Sequence, residues 1–498
     1  MTGRATAAIR VWRSRNVRTG TDRAYAAYMV FMVAVVAVTP IARAVWLSLT
    51  SAEGIAVLAS TAAPGVTVLT AAGLWAGALI LGRDRGPAVL PPFPTHALAT
   101  SDLPRSDTFR GPVLRAGALV TGLATFAAGL VGGSLTSNGL ADPLSTAMFA
   151  AVGALVGIVA TVAWLAGQVF PRAAVPVALG VLALAAFTAA VPFMQPFTPW
   201  GWVGLAYPGS GSPHTLVALT ALTAALVAAV PVLLNRLGLA ELMAQAARWE
   251  SAATYATGME FSSAVTIYQG EPHAGRRRLR AVRAIRRRSA VFLIRDAIGA
   301  VRTPGRLVVG VIALATAGTL ITLAFAPAMP GWALGAAAGL TLFGGLGPFT
   351  DGIRHAASVA ADFPLYGISD EHLLANHALF PLAVTVVVLL TVVVVCSFVT
   401  GMSAFAPILS SLALGVLTLM ARVGNALKGP LPPTLLAPIP TPVGDLGAAV
   451  RMIWALDAVL LIAFAGAAAA LAFESPVLLI GVAITLVGLV VARWRQRT

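Results

Sequence analysis

The chain has 498 residues, 58% of them hydrophobic and only 10% charged, with a mean hydropathy of +0.88. Such a composition cannot cover a folded surface with polar groups, so it excludes an ordinary soluble globular protein and makes lipid the solvent for much of the chain. The net charge of +15 sits on arginines between apolar runs, with no aromatic-interleaved basic face, so it reads as membrane-surface charge and no nucleic acid is expected.

The elements follow in chain order. An arginine-rich segment (Arg4, Arg10, Arg13, Arg15, Arg18, Arg23) precedes the first apolar run. That segment is too long for a signal-peptide n-region, so Ala42-Arg43-Ala44 is not expected to be cleaved. Spanning helices are predicted over 25–47, 61–82, 113–133, 145–169, 173–193 and 213–235, and again over 306–326, 332–350, 379–400, 405–424, 452–473 and 476–493. Each matches the ~20 residues that cross about 30 Å of hydrocarbon. Arginines fall only in alternate connections, whereas those near 47–60, 134–144, 194–214, 327–331, 401–405 and 473–476 contain no Lys or Arg. By the positive-inside rule both termini are cytoplasmic and the spans number twelve.

The spans form two sets of six that look like a tandem repeat. Asn16-Val17-Arg18-Thr19-Gly20 before the first span matches Ala300-Val301-Arg302-Thr303-Pro304 before the seventh. Ile9-Arg10 and Ile294-Arg295-Asp296 mark basic amphipathic segments suited to the inner headgroup layer. Leu103-Pro104-Arg105-Ser106-Asp107 leads into the third span, and Gly367-Ile368-Ser369-Asp370-Glu371 into the ninth. Their Ser-Asp pairs suit the start of a short helix, where acidic groups complement the dipole. The domain plan is therefore a first half over 1–235, a basic cytoplasmic linker over 236–290 and a second half over 291–498. A six-proline connection over 429–444 is expected to be an extended loop.

Motifs for chemistry are missing. The only lysine is Lys428, outside any Walker A loop, so this chain binds no ATP by that route and is not expected to be an enzyme. The six histidines are scattered, His372 and His377 read as surface residues, and no metal or other cofactor is expected. Cys396 is the only cysteine, so there is no disulfide. Asp457 lies inside a span, with Arg451 or a neighbouring helix as its expected partner, and Arg43 is expected to snorkel outward. The arginine-free connection from Pro192 to Pro213 carries Pro199, Trp200 and Trp202, which read as an interfacial belt or a re-entrant outer gate.

This plan resembles the permease of an ABC exporter of the type-2 (ABCG-like) class, with both six-span halves fused in one chain. The resemblance implies a cytoplasmic interfacial helix before each half (Arg10, Arg18; Arg295, Asp296, Arg302). It implies coupling loops at 103–107 and 367–371, and a re-entrant outer element around Pro199, Trp200 and Trp202, with no clear counterpart in the second half. Two copies of a separate cytoplasmic ATPase would hold ATP-Mg, close on the coupling loops and drive alternating access for a hydrophobic or amphipathic cargo. A second reading is a major-facilitator carrier, from the partial match of Gly82-Arg83-Asp84-Arg85-Gly86 to that family's loop. A third is a non-transporting membrane scaffold or immunity subunit. The Ala-, Val-, Gly- and Arg-rich composition points to a GC-rich bacterial genome, hence a bacterial plasma membrane.

Overall fold

The computed structural model describes residues 39–208, 213–269, 288–327, 329–360, 367–429, 431–435, 440–441 and 444–496, with scattered positions between 20 and 35. Arg10, Arg18, most of the first span before Thr39 and the basic stretch 270–287 lie outside the described residues. The rest is helical apart from one two-residue antiparallel pair in the proline-rich connection, Pro440–Thr441 against Gly444–Asp445. Eleven described helices are long and apolar enough to cross a membrane. The protein is an all-α, multi-pass membrane protein.

The chain divides into two compact units, Met1–Thr254 and Tyr255–Thr498. In the first, α1 (Thr39–Thr50) is followed by α2 (Ala63–Asp84), α3 (Arg110–Ser137), α4 (Pro143–Val169) and α5 (Pro171–Ala190). A short α6 (Pro199–Leu205) precedes α7 (Pro213–Asn235), and α8 (Leu239–Thr257) ends the unit. The second unit opens with a short helix (Phe261–Thr266), followed by α9 (Arg288–Val301), α10 (Pro304–Leu323), α11 (Gly331–Gly345) and a short α12 (Asp351–Val359). It closes with α13 (Asp370–Thr400), α14 (Phe405–Leu427), α15 (Leu446–Ala470) and α16 (Pro476–Arg495).

Local chemistry sets the helix ends. Proline stands in the first turn of α2, α4, α5, α6, α10 and α16, where a missing amide costs nothing. Asp142 caps α4 by accepting a hydrogen bond from the Ser145 amide at 3.2 Å, and its bonds to Ser145 hold the carboxyl below the usual range. Gly401 at φ +69° stops α13, and the Met402 amide donates back to the Ser397 carbonyl at 3.0 Å. Helix α13 starts well before the predicted 379, because Asp370 and Glu371 open it and Leu373 and His377 are buried in the same helix. Those two acidic groups therefore begin a 31-residue helix instead of a separate short one.

Lipid removes the hydrophobic drive between helices, so backbone approach and close packing must hold the bundle together. In the second unit α11 and α15 cross at Gly335 and Gly466, where a methyl group on either would run into the other's carbonyl. In the first unit Gly157 of α4 lets that helix close on Thr121 of α3. The second unit's core gathers Leu314, Leu342, Phe349, Leu389, Leu414, Ile462 and Leu486. The first unit's larger core gathers Val68, Trp75, Val156, Trp200 and Leu219.

Candidate functional site

The arginine-bearing helix ends of each unit carry most of the polar structure. In the first unit, residues 105–108 form a single helical turn at the foot of α3. Thr108 and Phe109 are buried beneath it, while Pro104 is exposed and Leu103, Arg105, Ser106 and Asp107 are half-buried. The Ser106 hydroxyl does not cap the turn; instead the Ser106 amide donates to Asn235 Oδ1 at 3.0 Å, tying it to the end of α7. The neighbouring connection Gly82–Gly86 is held by a buried amide cluster. Gln245 Oε1 accepts from the Gly86 amide and from Gln168 Nε2, both at 2.9 Å. Gln245 Nε2 reaches the carbonyls of Gly82 and Arg83 at 3.3 and 3.2 Å, and Gln168 Oε1 accepts from the Ala88 amide at 3.2 Å. The Arg85 guanidinium lies 3.4 Å over the Trp249 ring, a cation–π contact. Helix α8, with Leu242, Gln245 and Ala246 buried on one face, is thereby built into the first unit.

In the second unit Gly367 takes a left-handed φ of +60°, turning the chain into Ile368, Ser369, Asp370 and Glu371 at the start of α13. Ile368 and Asp370 are half-buried, and Ser369 and Glu371 are exposed. Helix α9 is amphipathic and packs along α13 and α10. Arg295 is exposed on it, Arg302 half-buried, and Asp296 turns inward to meet His377 Nδ1 at 2.7 Å. His377 is buried at 1% exposure, so the surface reading holds for His372 alone, which pairs with the Ser369 hydroxyl at 2.7 Å. The reason is tertiary: α9 supplies a carboxylate partner and Phe292 an aromatic edge, with ring centroids 5.0 Å apart. The absence of a side chain at Gly352 leaves room for both polar groups. His355 of α12 stands edge-on to His377 at 6.5 Å. Burial lowers the His355 pKa, Arg295 and His377 lower it further, and Asp296 opposes them.

Asp457 does not pair with Arg451; its Oδ1 accepts from the Ala458 amide of its own helix at 2.6 Å, and its charged partners come from elsewhere. It takes Lys428 Nζ at 2.9 Å and an Arg493 guanidinium, while Arg493 also donates to the Gly424 carbonyl at 2.9 Å. Lys428 donates to the Trp454 carbonyl and lies 4.1 Å from that ring's centroid. Burial pulls the Lys428 ammonium below its ordinary range, against the upward pull of Asp457. Arg451 donates instead to the Leu435 carbonyl at 3.0 Å. Three helix ends (α12, α10 and α14) bring together Asp351, Arg306, Arg354 and Arg422, with Arg306 forking onto Asp351 at 3.0 and 3.2 Å. The amide cluster and both charge clusters are absent from the sequence reading. The available signals were Gln168 in an otherwise apolar run, the single lysine, and arginines at the ends of α14 and α16.

At the arginine-free end of the first unit, a 3-10 turn over Pro192–Phe197 packs on α5 and α6, and helix α6 folds back against α2. Trp200 is buried and donates to the Thr188 hydroxyl at 3.1 Å, and Trp202 donates to the Pro196 carbonyl at 2.6 Å. Pro199 opens the helix and Thr198 caps it. Tyr207 bonds the Leu58 carbonyl at 2.8 Å, and burial pushes its phenol up to about 12. The corresponding connection of the second unit is only the short turn from Leu471 to Ser475.

Among the described residues no group of three or more acidic, histidine or cysteine side chains is arranged to hold a metal ion. Comparison with known proteins found no matching family model, no matching curated protein and no matching solved structure.

Proposed function

We propose that the chain is the membrane-embedded permease of an ATP-driven exporter, two six-span halves in tandem with both termini on the cytoplasmic side of a bacterial plasma membrane. The reading is carried by one observation, that the two units repeat the same helix pairings. Counting spans within each unit, the first pairs with the third (α1·α3, α10·α13) and the second with the fifth (α2·α5, α11·α15). The third pairs with the fourth (α3·α4, α13·α14) and the fourth with the sixth (α4·α7, α14·α16). Each unit also carries a polar loop, 103–107 or 367–371, before its third span and at its arginine-bearing end. The fold-back element around Trp200 in the first unit supports the same reading, and its absence from the second makes the outer side asymmetric.

In this mechanism two separate ATPase subunits hold ATP-Mg and close beneath the membrane. Their closure bears on Leu103–Asp107 and Gly367–Glu371. The Ser106–Asn235 bond passes the displacement to α7, and the continuous α13 carries it directly into the bilayer. Nucleotide shifts the chain between inward and outward states only by its different affinity for them. The few charges within the spans favour a hydrophobic or amphipathic cargo. Affinity purification of the tagged chain from its native membrane is the test. Recovery of a P-loop ATPase, lost when Ser106, Asp107, Asp370 and Glu371 are all changed to Ala, is expected. A chain that purifies alone and moves solute only under a proton gradient would favour the facilitator reading instead.

A further inference from the structure

We infer that the Arg306–Asp351–Arg354–Arg422 cluster of the second unit binds the phosphate headgroup of an anionic phospholipid. Two guanidinium groups, those of Arg306 and Arg354, converge on one carboxylate, and a third, that of Arg422, lies nearby. Arg306 forks onto Asp351, and Arg354 shares the same carboxylate while its other contact is the neutral Gln269 amide at 3.3 Å. Arg422 is within electrostatic reach of both Asp351 and Arg354 yet forms an ion pair with no carboxylate among the described residues. Its guanidinium donates to the Phe343 carbonyl and stacks 3.9 Å over that ring, and its Nε is buried without a hydrogen-bond partner. Two positive charges are thus left uncompensated at the foot of α10. A guanidinium pair is a geometric match for a phosphodiester's oxygens.

The surface beside the cluster selects the carrier of that phosphate. One turn along α10 from Arg306, Val309 is 61% exposed, and Ile312, three residues further on, is 54% exposed. Each step of three joins helical neighbours, so the two form an apolar ridge that starts beside Arg306 and winds along the helix. A ligand with its phosphate at the arginines and hydrocarbon along this ridge covers both features, whereas free phosphate uses only the first. The Lys428–Asp457–Arg493 cluster also carries a surplus charge, but its side chains are 8–15% exposed and leave a headgroup little access.

Native mass spectrometry of the purified full chain, titrated in turn with phosphatidylglycerol and phosphatidylcholine, reads the site, with inorganic phosphate as a third titrant. Phosphatidylglycerol is expected to bind more tightly than phosphatidylcholine and to raise the melting temperature, with inorganic phosphate doing neither. Arg306→Gln with Arg354→Gln should weaken phosphatidylglycerol about 25-fold, at roughly fivefold for each surface arginine lost. Asp351→Asn, which removes only the competing carboxylate, should strengthen it. The Asn variant keeps the proposal testable if the double Gln variant does not fold. Unchanged lipid binding in a folded double variant, weaker binding in Asp351→Asn, or protection by inorganic phosphate equal to that by lipid would each overturn the assignment.

Discussion

At the scale of single residues, the polar groups are distributed by partner and not by sequence neighbour. Asp457 illustrates this. Its nearest basic residue along the helix is Arg451, but the residues that meet it come from the ends of α14 and α16. The three side chains are 8–15% exposed, so removing the carboxylate strands two cations in a poorly solvated place. Asp457→Asn is expected to cost about 3 kcal/mol, and Arg451→Gln, whose charge has a carbonyl partner, about 1 kcal/mol or less. Thermal unfolding in detergent compares the two. His355 supplies a pH dependence with a definite sign. Its folded pKa lies below the ordinary 6.5, mainly through burial and then Arg295 and His377. The group therefore adds stability above pH 6.5 and loses it as pH falls through the lowered value. Melting temperature should drop on acidification below 6.5, and His355→Gln should flatten that part of the profile. The spacing of His372 and His377 gave no hint that only one of them is buried, because the deciding carboxylate, Asp296, lies 81 residues away.

At the scale of elements, hydrophobic runs located most of the eleven described spans to within a turn or two, and glycine and proline set many of their ends. Errors arise where a helix outlasts its apolar stretch. Helix α13 continues through Glu371, His372 and Asn376 because its acidic first turn and tertiary contacts make helix favourable outside lipid. The start of the basic linker, residues 239–256, reads as helix from its Ala, Glu, Gln and Arg content, but nothing in it signals that it docks. Docking rests on Gln245, which besides Glu241 of its own helix makes four polar contacts with residues 77 to 163 positions away. Gln245→Leu keeps the volume and removes every bond, leaving the Gly86 amide and Gln168 Nε2 unsatisfied. A loss of about 2–4 kcal/mol is expected from those groups together. Limited proteolysis within α8, slow in the parent and fast in the variant, checks it; equal cleavage would show that α8 is held by its apolar face alone. The outer aromatic segment was legible as ordered, and Trp200 owes its burial to Gly201 and Gly204, which let α6 approach its neighbours.

At the scale of the whole molecule, composition alone placed the chain in lipid, and alternating arginines gave an orientation. A two-part plan was visible only as short loop matches before the first and third spans of each half. The helix pairings add a stronger argument, because they involve contacts between segments that share no readable motif. They also expose a difference. The second span packs heavily on the fourth in the first unit, but chiefly on the first and fifth in the second unit. The two units are thus unequal in packing as well as in the connection before their last long helix. The central claim is that both polar loops receive a cytoplasmic ATPase. Its most direct measurement is cross-linking in native membranes from single cysteines at Ser106→Cys and Glu371→Cys, in a chain whose only cysteine has been removed by Cys396→Ala. The account predicts that each position yields an adduct with a P-loop ATPase that changes with ATP, and that Gly139→Cys at the arginine-free end yields none. Labelling of either loop from outside the cell, or adducts lacking an ATPase at both positions, would contradict it.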